Sequence, residues 1–342
     1  MDSASNLRRR RTGLASIEVT VPARLHLGFL DLEGGLGRRF GSIGLALEGI
    51  ETRLAATPAA AITARGPSAE RAAAFARKIA QDLGLSGGAE IVVREAIPEH
   101  AGLGSGTQMG LAAGTALARL YGYDVPARTI AMMLGRGERS GIGIGAFEQG
   151  GVLVDGGRRT DAGGEPAPIV SRMEFPDDWR VLLIFDEAAR GLHGEAETDA
   201  FRKLPAFPAS LAAHLCRLVL MAALPALAER NLAAFGAAMS EIQDIVGDHF
   251  APVQGGRYAS PKVAACLSWL KAEGVSGLGQ SSWGPTGFAF ADAAKAEALL
   301  EAARRKWAGD DQLRFMICRG RNQGGRIAEG LPAAAANDAR RR

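Results

Sequence analysis

Residues 17–32, "IEVTVPARLHLGFLDL", alternate apolar and polar positions and begin rich in β-branched side chains. That pattern predicts a strand followed by an irregular segment. "GSIGLALEGIETRLAAT" predicts one or two more strands, and "AEIVVREAIP" another that Pro98 helps to stop. Helical spacing appears in "SAERAAAFARKIAQDLGL", with Ser68 placed to cap it and Gly84 following its last turn. It recurs in "SGTQMGLAAGTALARLYG", a helix starting at or just after Ser105, and in "PARTIAMMLGRGERSG". "AFEQGGVLVDGG" returns to strand.

The Gly/Pro/Asp-rich "GGRRTDAGGEPAP" then marks an excursion or domain boundary. Beyond it, "WRVLLIFD" predicts a strand, and long helical patterns run from about Pro208 to Val246. A short helix around Lys262–Ala272, strands at "SGLGQ" and "TGFAFA", the helix "AAKAEALLEAARRKWA" and the strand "LRFMIC" complete a split α/β layer. Two units are expected, 16–165 and 166–330, between disordered tails at 1–15 and 331–342.

Charge changes the picture little. Seven arginines in the tails, Arg8 to Arg11 and Arg340 to Arg342, outweigh the net charge of +3 and leave the body slightly acidic. That argues against a nucleic-acid partner. The three cysteines are widely spaced in apolar contexts and fit buried thiols in a reducing cytoplasm. "LVLMAALPALAERNLAAF" is broken by Pro225, Glu229 and Arg230, so no membrane span is expected. A cytoplasmic protein is expected, compatible with a homodimer.

The chemistry concentrates in "PEHAGLGSGTQMGLAAG", residues 98–114. Gly102, Gly104 and Gly106 let a backbone approach a ligand closely. A helix entry adds free N–H groups and a positive dipole end, and Ser105 and Thr107 add hydroxyls, so residues Gly102, Leu103, Gly104, Ser105, Gly106, Thr107 and Gln108 form a candidate anion loop. It is not a Walker A loop, since no Gly-Lys-Ser/Thr follows. The plain alternative is a strand-to-helix turn with Ser105 as N-cap.

Three segments in order, "VPARLHLGFLDL", "PEHAGLGSGTQMG" and "GQSSWGPTGFAF", resemble the GHMP kinase superfamily over most of residues 17–320. The resemblance implies an α+β, GHMP-kinase-like two-domain fold: a ribosomal S5 domain 2-like N-terminal half and a ferredoxin-like split α/β C-terminal half. It also implies that the central loop binds phosphate. "RLHLGFLDLEGGLGRRFGSIGLAL", "RSGIGIGAFEQGGVLVDGG" and "RGLHGEAE" are similar to one branch, the β-ribofuranosylaminobenzene 5′-phosphate synthase family. That branch implies joining 4-aminobenzoate to phosphoribosyl pyrophosphate, with loss of CO2 and pyrophosphate, in (dephospho)tetrahydromethanopterin biosynthesis. Gly106 stands where the kinase pattern has a second Ser, and no clear equivalent of the aspartate segment of several kinases is present. The Thr-Gly-x-Thr-type signature of ordinary phosphoribosyltransferases is also absent. An ATP-dependent sugar or polyol kinase and a non-catalytic ligand-binding protein remain as alternatives.

The implied reaction needs the leaving pyrophosphate stabilised, the aryl acid held and water excluded. Mg²⁺ sharing the pyrophosphate charge would require one or two carboxylates, for which Glu148 and Asp31 are the candidates. Each has a plain alternative, as turn residue and loop cap. Arg24 and His26 share a strand face and could clamp a phosphate or handle a proton. Arg139, Arg190 and His193 are substrate-binding candidates, with Glu195, Glu197 and Asp199 read as favouring a helix start. Gln280, Ser281, Ser282, Trp283 and Gly284 complete the set, with Trp283 either stacking on the aryl ring or packing under the turn.

Overall fold

The computed structural model describes residues 14–161, 164–191 and 194–330. Residues 1–13 and 331–342 of the expected tails, and His193, lie outside the described residues, whereas Ala15 N–H donates to Gly330 C=O. Strands β1 (Ser16–Asp31) and β2 (Arg38–Ala59) form one long antiparallel hairpin, in register from Ile17↔Ala56 to Asp31↔Phe40. The segment expected to be irregular is thus strand throughout. Its irregularity survives as two register shifts, between Pro22 and Arg24 and between His26 and Gly28. Pro22 has no N–H to give the ladder.

Strand β3 (Thr63–Arg65), helix α1 (Ala69–Asp82) and strand β4 (Gly88–Glu95) follow. Helices α2 (Ser105–Leu120), α3 (Ala127–Met133) and α4 (Ile142–Glu148) come next, then β5 (Val152–Asp155), β6 (Arg158–Arg159) and β7 (Ile169–Met173). Strands β8 to β12 complete the chain: β8 (Trp179–Asp186), β9 (Leu278–Gln280), β10 (Gly287–Asp292), β11 (Leu313–Cys318) and β12 (Arg326–Gly330). The first sheet runs β12-β1-β2-β4-β3, with β6 and β5 paired to the first part of β2 and β7 paired to β5. Helices α1 and α2 bury apolar faces against it in a core that includes Ile79, Ile91, Leu111, Leu117 and Ile130. Two expectations change here. Ala146, Phe147 and Glu148, expected to open a strand, end helix α4, and Gly104, not Ser105, is the N-cap of α2.

The second layer opens with β8. Helices α5 (Gly194–Lys203), α6 (Ala209–Leu218), α7 (Leu224–Ala228), α8 (Leu232–Gln254) and α9 (Pro261–Ala272) follow it, and α10 (Ala293–Lys306) lies between β10 and β11. The second sheet is antiparallel, β11-β8-β10-β9. Alternation along β8 sends Leu182 and Ile184 to a core shared with α9 and α10. Val181, Leu183 and Phe185 face the opposite way, into a core shared with α8 and β1. This second core joins the two sheets. Caps agree with composition: Asn231 Oδ1 accepts from Ala234 N–H and Ser260 Oγ from Val263 N–H.

The boundary expected at 165 is not clean, because β7 and β12 both return to the first sheet. Residues Ala209–Ala228 form one apolar helical run of 20 residues with mean hydropathy 1.8, a third of it buried. A π-helical turn at Val219–Ala223 carries the run into Pro225 instead of breaking it there. One such helix is weak evidence for a membrane span. Cys266 and Cys318 are buried, and burial pushes both thiols up to about 12, whereas Cys216 is exposed, against expectation.

Asp155 anchors α4 to the sheet. Its carboxylate is buried and accepts from Ser42 Oγ, Ser140 Oγ (3.1 Å), Gly141 N–H (2.9 Å) and Gly157 N–H (3.0 Å). Asp155→Ala strands these donors and is expected to cost at least about 2 kcal/mol in a chemical-denaturation measurement.

Candidate active site

The loop 98–104 crosses the seam between the two sheets. Gly102 C=O accepts from Arg24 Nη1 (2.5 Å) and from Ser281 Oγ (2.8 Å). Ser281 Oγ also accepts from His26 N–H (3.0 Å), and Ser282 N–H donates to His26 C=O (3.2 Å). Arg24 N–H reaches Leu103 C=O at 3.1 Å. A Cβ on Gly102, whose φ is +77°, would lie 2.3 Å from the Ser281 carbonyl oxygen, and one on Gly191 2.1 Å from that of Gly284. Only glycine allows this backbone-on-backbone contact.

Helix α2 starts from this crossing. Its first i→i−4 bond is Gln108 N–H to Gly104 C=O, so the amides of Ser105, Gly106 and Thr107 stand at its free end. Two guanidinium groups meet there. A Cβ on Gly106 would lie 2.7 Å from Arg71 Nη2 and 3.7 Å from Arg136 Nη1. Gly106, where the kinase pattern has a second Ser, leaves this space to the two arginine side chains. Burial and then the Arg71 charge pull the Arg136 pKa below the usual arginine range, against the pull of Glu138 and Glu197. Arg136 lies over the Phe75 ring, and its Nε is buried without a partner. Arg24, under Gly104, is lowered to about 10, first by burial, with Glu197 opposing.

On the other side of the cleft, Arg139 Nη1 pairs with Glu197 at 2.8 Å and Nη2 donates to Thr198 Oγ1 at 2.9 Å. Its guanidinium lies over Phe201. Phe201 in turn packs against Phe29, Phe40, Phe250 and Trp283. Burial raises the Glu197 pKa, with Arg139 and Arg24 holding it down. The Trp283 indole N–H approaches this carboxylate without closing a well-aligned hydrogen bond.

The expected residues divide. Gly102, Leu103, Gly104, Ser105, Gly106, Thr107, Arg24 and Arg139 are brought together, with Arg139 engaged by Glu197. Gln108 is buried and donates to Gly143 C=O, joining α2 to α4. Ser281, Ser282 and Gly284 build the crossing. The Gln280 amide ties Ala259 N–H to Ser282 C=O. Trp283 is buried and stacked on Phe250 at 4.4 Å, so it packs under the turn and offers no stacking face. His26 is buried against Phe29, and burial and then Arg24 push it down to about 3. Arg190 is exposed, beside a cavity of about 340 Å³ on the outer side of the crossing.

Neither candidate metal carboxylate reaches the loop. Asp31 Oδ1 caps its own turn, accepting from Glu33 N–H (2.9 Å) and Gly34 N–H (2.8 Å). Glu148 ends α4, about 7.5 Å along the axis from Gly143, the residue next to Thr107. It sits against Gly324, with its pKa raised by burial and lowered by Arg128. No group of three His, Cys, Asp or Glu suited to a metal exists among the described residues. Near the helix end stand Arg24, Arg71 and Arg136, and the carboxylates beside them, Glu99 and Glu197, are held by Arg71 and Arg139. The residues present do not fit a protein-ligated Mg²⁺.

Residues 70–151 match the family described as GHMP kinases N terminal domain, and residues 223–309 match GHMP kinases C terminal. The fold is similar to homoserine kinase from Cytophaga hutchinsonii (TM-score 0.66, 17% identity, 93% of this chain and 99% of that one). It is also similar to mevalonate diphosphate decarboxylase from Enterococcus faecalis (TM-score 0.62, 14% identity, 92% and 99%). Fold and glycine loop together define a GHMP-superfamily protein. In sequence the chain is 34% identical, over 90% of its length and 98% of the relative's, to beta-ribofuranosylphenol 5'-phosphate synthase of Archaeoglobus fulgidus. It is 33% identical to the protein of the same name from Methanocaldococcus jannaschii, over 80% and 89%. The chain belongs to this synthase family.

Two measurements check the site. Arg136→Leu should weaken binding of inorganic pyrophosphate about 10- to 100-fold by calorimetry, the worth of one charged hydrogen bond; unchanged affinity would remove Arg136 from the cradle. His26 is neutral when folded, whereas an unburied histidine titrates near 6.5. Between pH 6.5 and 3 the unfolded chain binds the extra proton, so stability falls as pH falls, by up to about 1.4 kcal/mol per pH unit. His26→Phe should flatten that part of the stability profile.

Proposed function

We propose that the protein forms a carbon–carbon bond between C1 of phosphoribosyl pyrophosphate and the carboxyl-bearing carbon of a para-substituted benzoate, releasing pyrophosphate and CO2. The observation that carries this is the convergence of Arg24, Arg71 and Arg136 on the free end of α2, with Arg139 and an aromatic wall beside it. Such a cradle suits a departing polyanion. As the C1–O bond breaks, its electron pair goes to pyrophosphate, and the amides and guanidinium groups stabilise the charge where it accumulates. The aromatic wall excludes water that would otherwise capture the cationic sugar. No enzyme nucleophile is needed, and no step is routed through a protein-held metal.

The amine of 4-aminobenzoate or the hydroxyl of 4-hydroxybenzoate can activate the ring. The branch resemblance favours the amine, giving a step of (dephospho)tetrahydromethanopterin biosynthesis. The name of the relatives, a phenol, supports the hydroxyl as a second reading. Purified protein given phosphoribosyl pyrophosphate, magnesium-containing buffer and each acid labelled in its carboxyl group should release CO2 and pyrophosphate in equal amounts, faster with its own substrate. No release from either acid would overturn the reading. ATP consumption with a panel of small alcohols would replace it with a kinase.

A further inference from the structure

We infer that Glu197 accepts the proton of the para amine or hydroxyl of the aryl substrate, making that substituent the electron source for carbon–carbon bond formation. The inference rests on the reaction proposed above. Its basis is the charge distribution of the cleft. Arg24, Arg71 and Arg136 favour the departing pyrophosphate, but the same charges oppose any positive charge that builds on the attacking ring. A ring attacking with its amine or hydroxyl still protonated becomes cationic beside three guanidinium groups. A nearby carboxylate removes that conflict by taking the proton as the charge develops.

Glu197 is the carboxylate placed for this. Glu99 stands on the anion side, beside Arg71 at the α2 end, and Glu138 is exposed. Glu197 lies on the aromatic side, four residues before Phe201 on α5, so the acid and the ring share a helix face. Arg139, from the segment preceding α4, holds Oε2 at 2.8 Å and fixes the carboxylate's direction. Arg24 from β1, Arg136 after α3 and Trp283 from the crossing turn face it from the other elements. Burial raises its proton affinity while Arg139 and Arg24 restrain the rise, which suits a group that must take up a proton and return it.

The step balances. A ring π pair forms the bond to C1, and the C1–O pair leaves with pyrophosphate. The para N–H or O–H proton passes to Glu197, leaving a neutral quinonoid ring. The bond to the carboxylate then breaks, CO2 departs, and its electron pair restores aromaticity. Glu197 returns its proton to the para nitrogen or oxygen. No oxidant, reductant or further reactant is consumed.

Glu197→Gln keeps the shape and removes the base. Expected is a fall in kcat of about 100- to 10,000-fold, with KM for phosphoribosyl pyrophosphate changed less than about threefold. The acid limb of the kcat pH profile should disappear, and Glu197→Asp should restore part of the rate. Inorganic pyrophosphate should still bind Glu197→Gln by calorimetry, which also shows that the variant is folded. An active wild type with kcat and pH profile unchanged in Glu197→Gln would overturn the role of Glu197 alone. Tighter pyrophosphate binding with unchanged kcat would do the same, making Glu197 a counter-ion. A wild type silent on both acids would instead overturn the reaction reading itself.

Discussion

The Ser281 hydroxyl is fully buried where three stretches of backbone meet, donating to Gly102 C=O and accepting from His26 N–H. These two hydrogen bonds tie the anion loop, the first strand of one sheet and the turn after β9 of the other. The loop depends on such ties, to Ser281 and to Arg24, because Gly102 and Gly104 both have positive φ and little intrinsic preference for one conformation. The direction in which the α2 amides point is therefore set in part by a residue 179 positions from Gly102. A change at the crossing would reach the site by rotating a helix end, without touching a ligand.

The second constraint is electrostatic. Guanidinium groups held in a half-buried space lose hydration, and the lowered pKa values of Arg24 and Arg136 record that burial first, with repulsion from Arg71 added at Arg136. Ion pairs at Arg71–Glu99 and Arg139–Glu197 relieve part of it. Glu138 and the Phe75 face relieve more of it at Arg136, and Gly102 C=O does so at Arg24. Arginine suits this role better than lysine, which would lose its proton more readily when buried.

What can be read from sequence follows from how local each signal is. The glycine loop, the α2 entry and the turn at 280–284 declare themselves within a few residues, and the structure brings them together. Strand β8 is legible because its alternation serves two cores. Arg71 and Arg136 are not, since each is an arginine on or after an ordinary helix until the fold carries it to Gly106. Glu197 has the look of a first-turn helix acid, and only its pairing with Arg139 marks it. Glu148 is misleading because the glycines before it suggest a turn; packed against β2, with Ile142 within 2.3 Å of where a Gly44 Cβ would be, they form a helix that carries Glu148 to its far end.

Strand β12 has a consequence for how the chain is made. Ser16 pairs with Gly330, and the register runs inward to Thr20↔Arg326. The outer edge of the first sheet stays open until the last described strand arrives. Vectorial synthesis therefore delivers β1 long before its partner, leaving an unpaired edge exposed on the ribosome. Contacts this distant in sequence slow folding. Strand β8 of the second sheet waits in the same way, because helices α5 to α9 emerge before its partners β10 and β11.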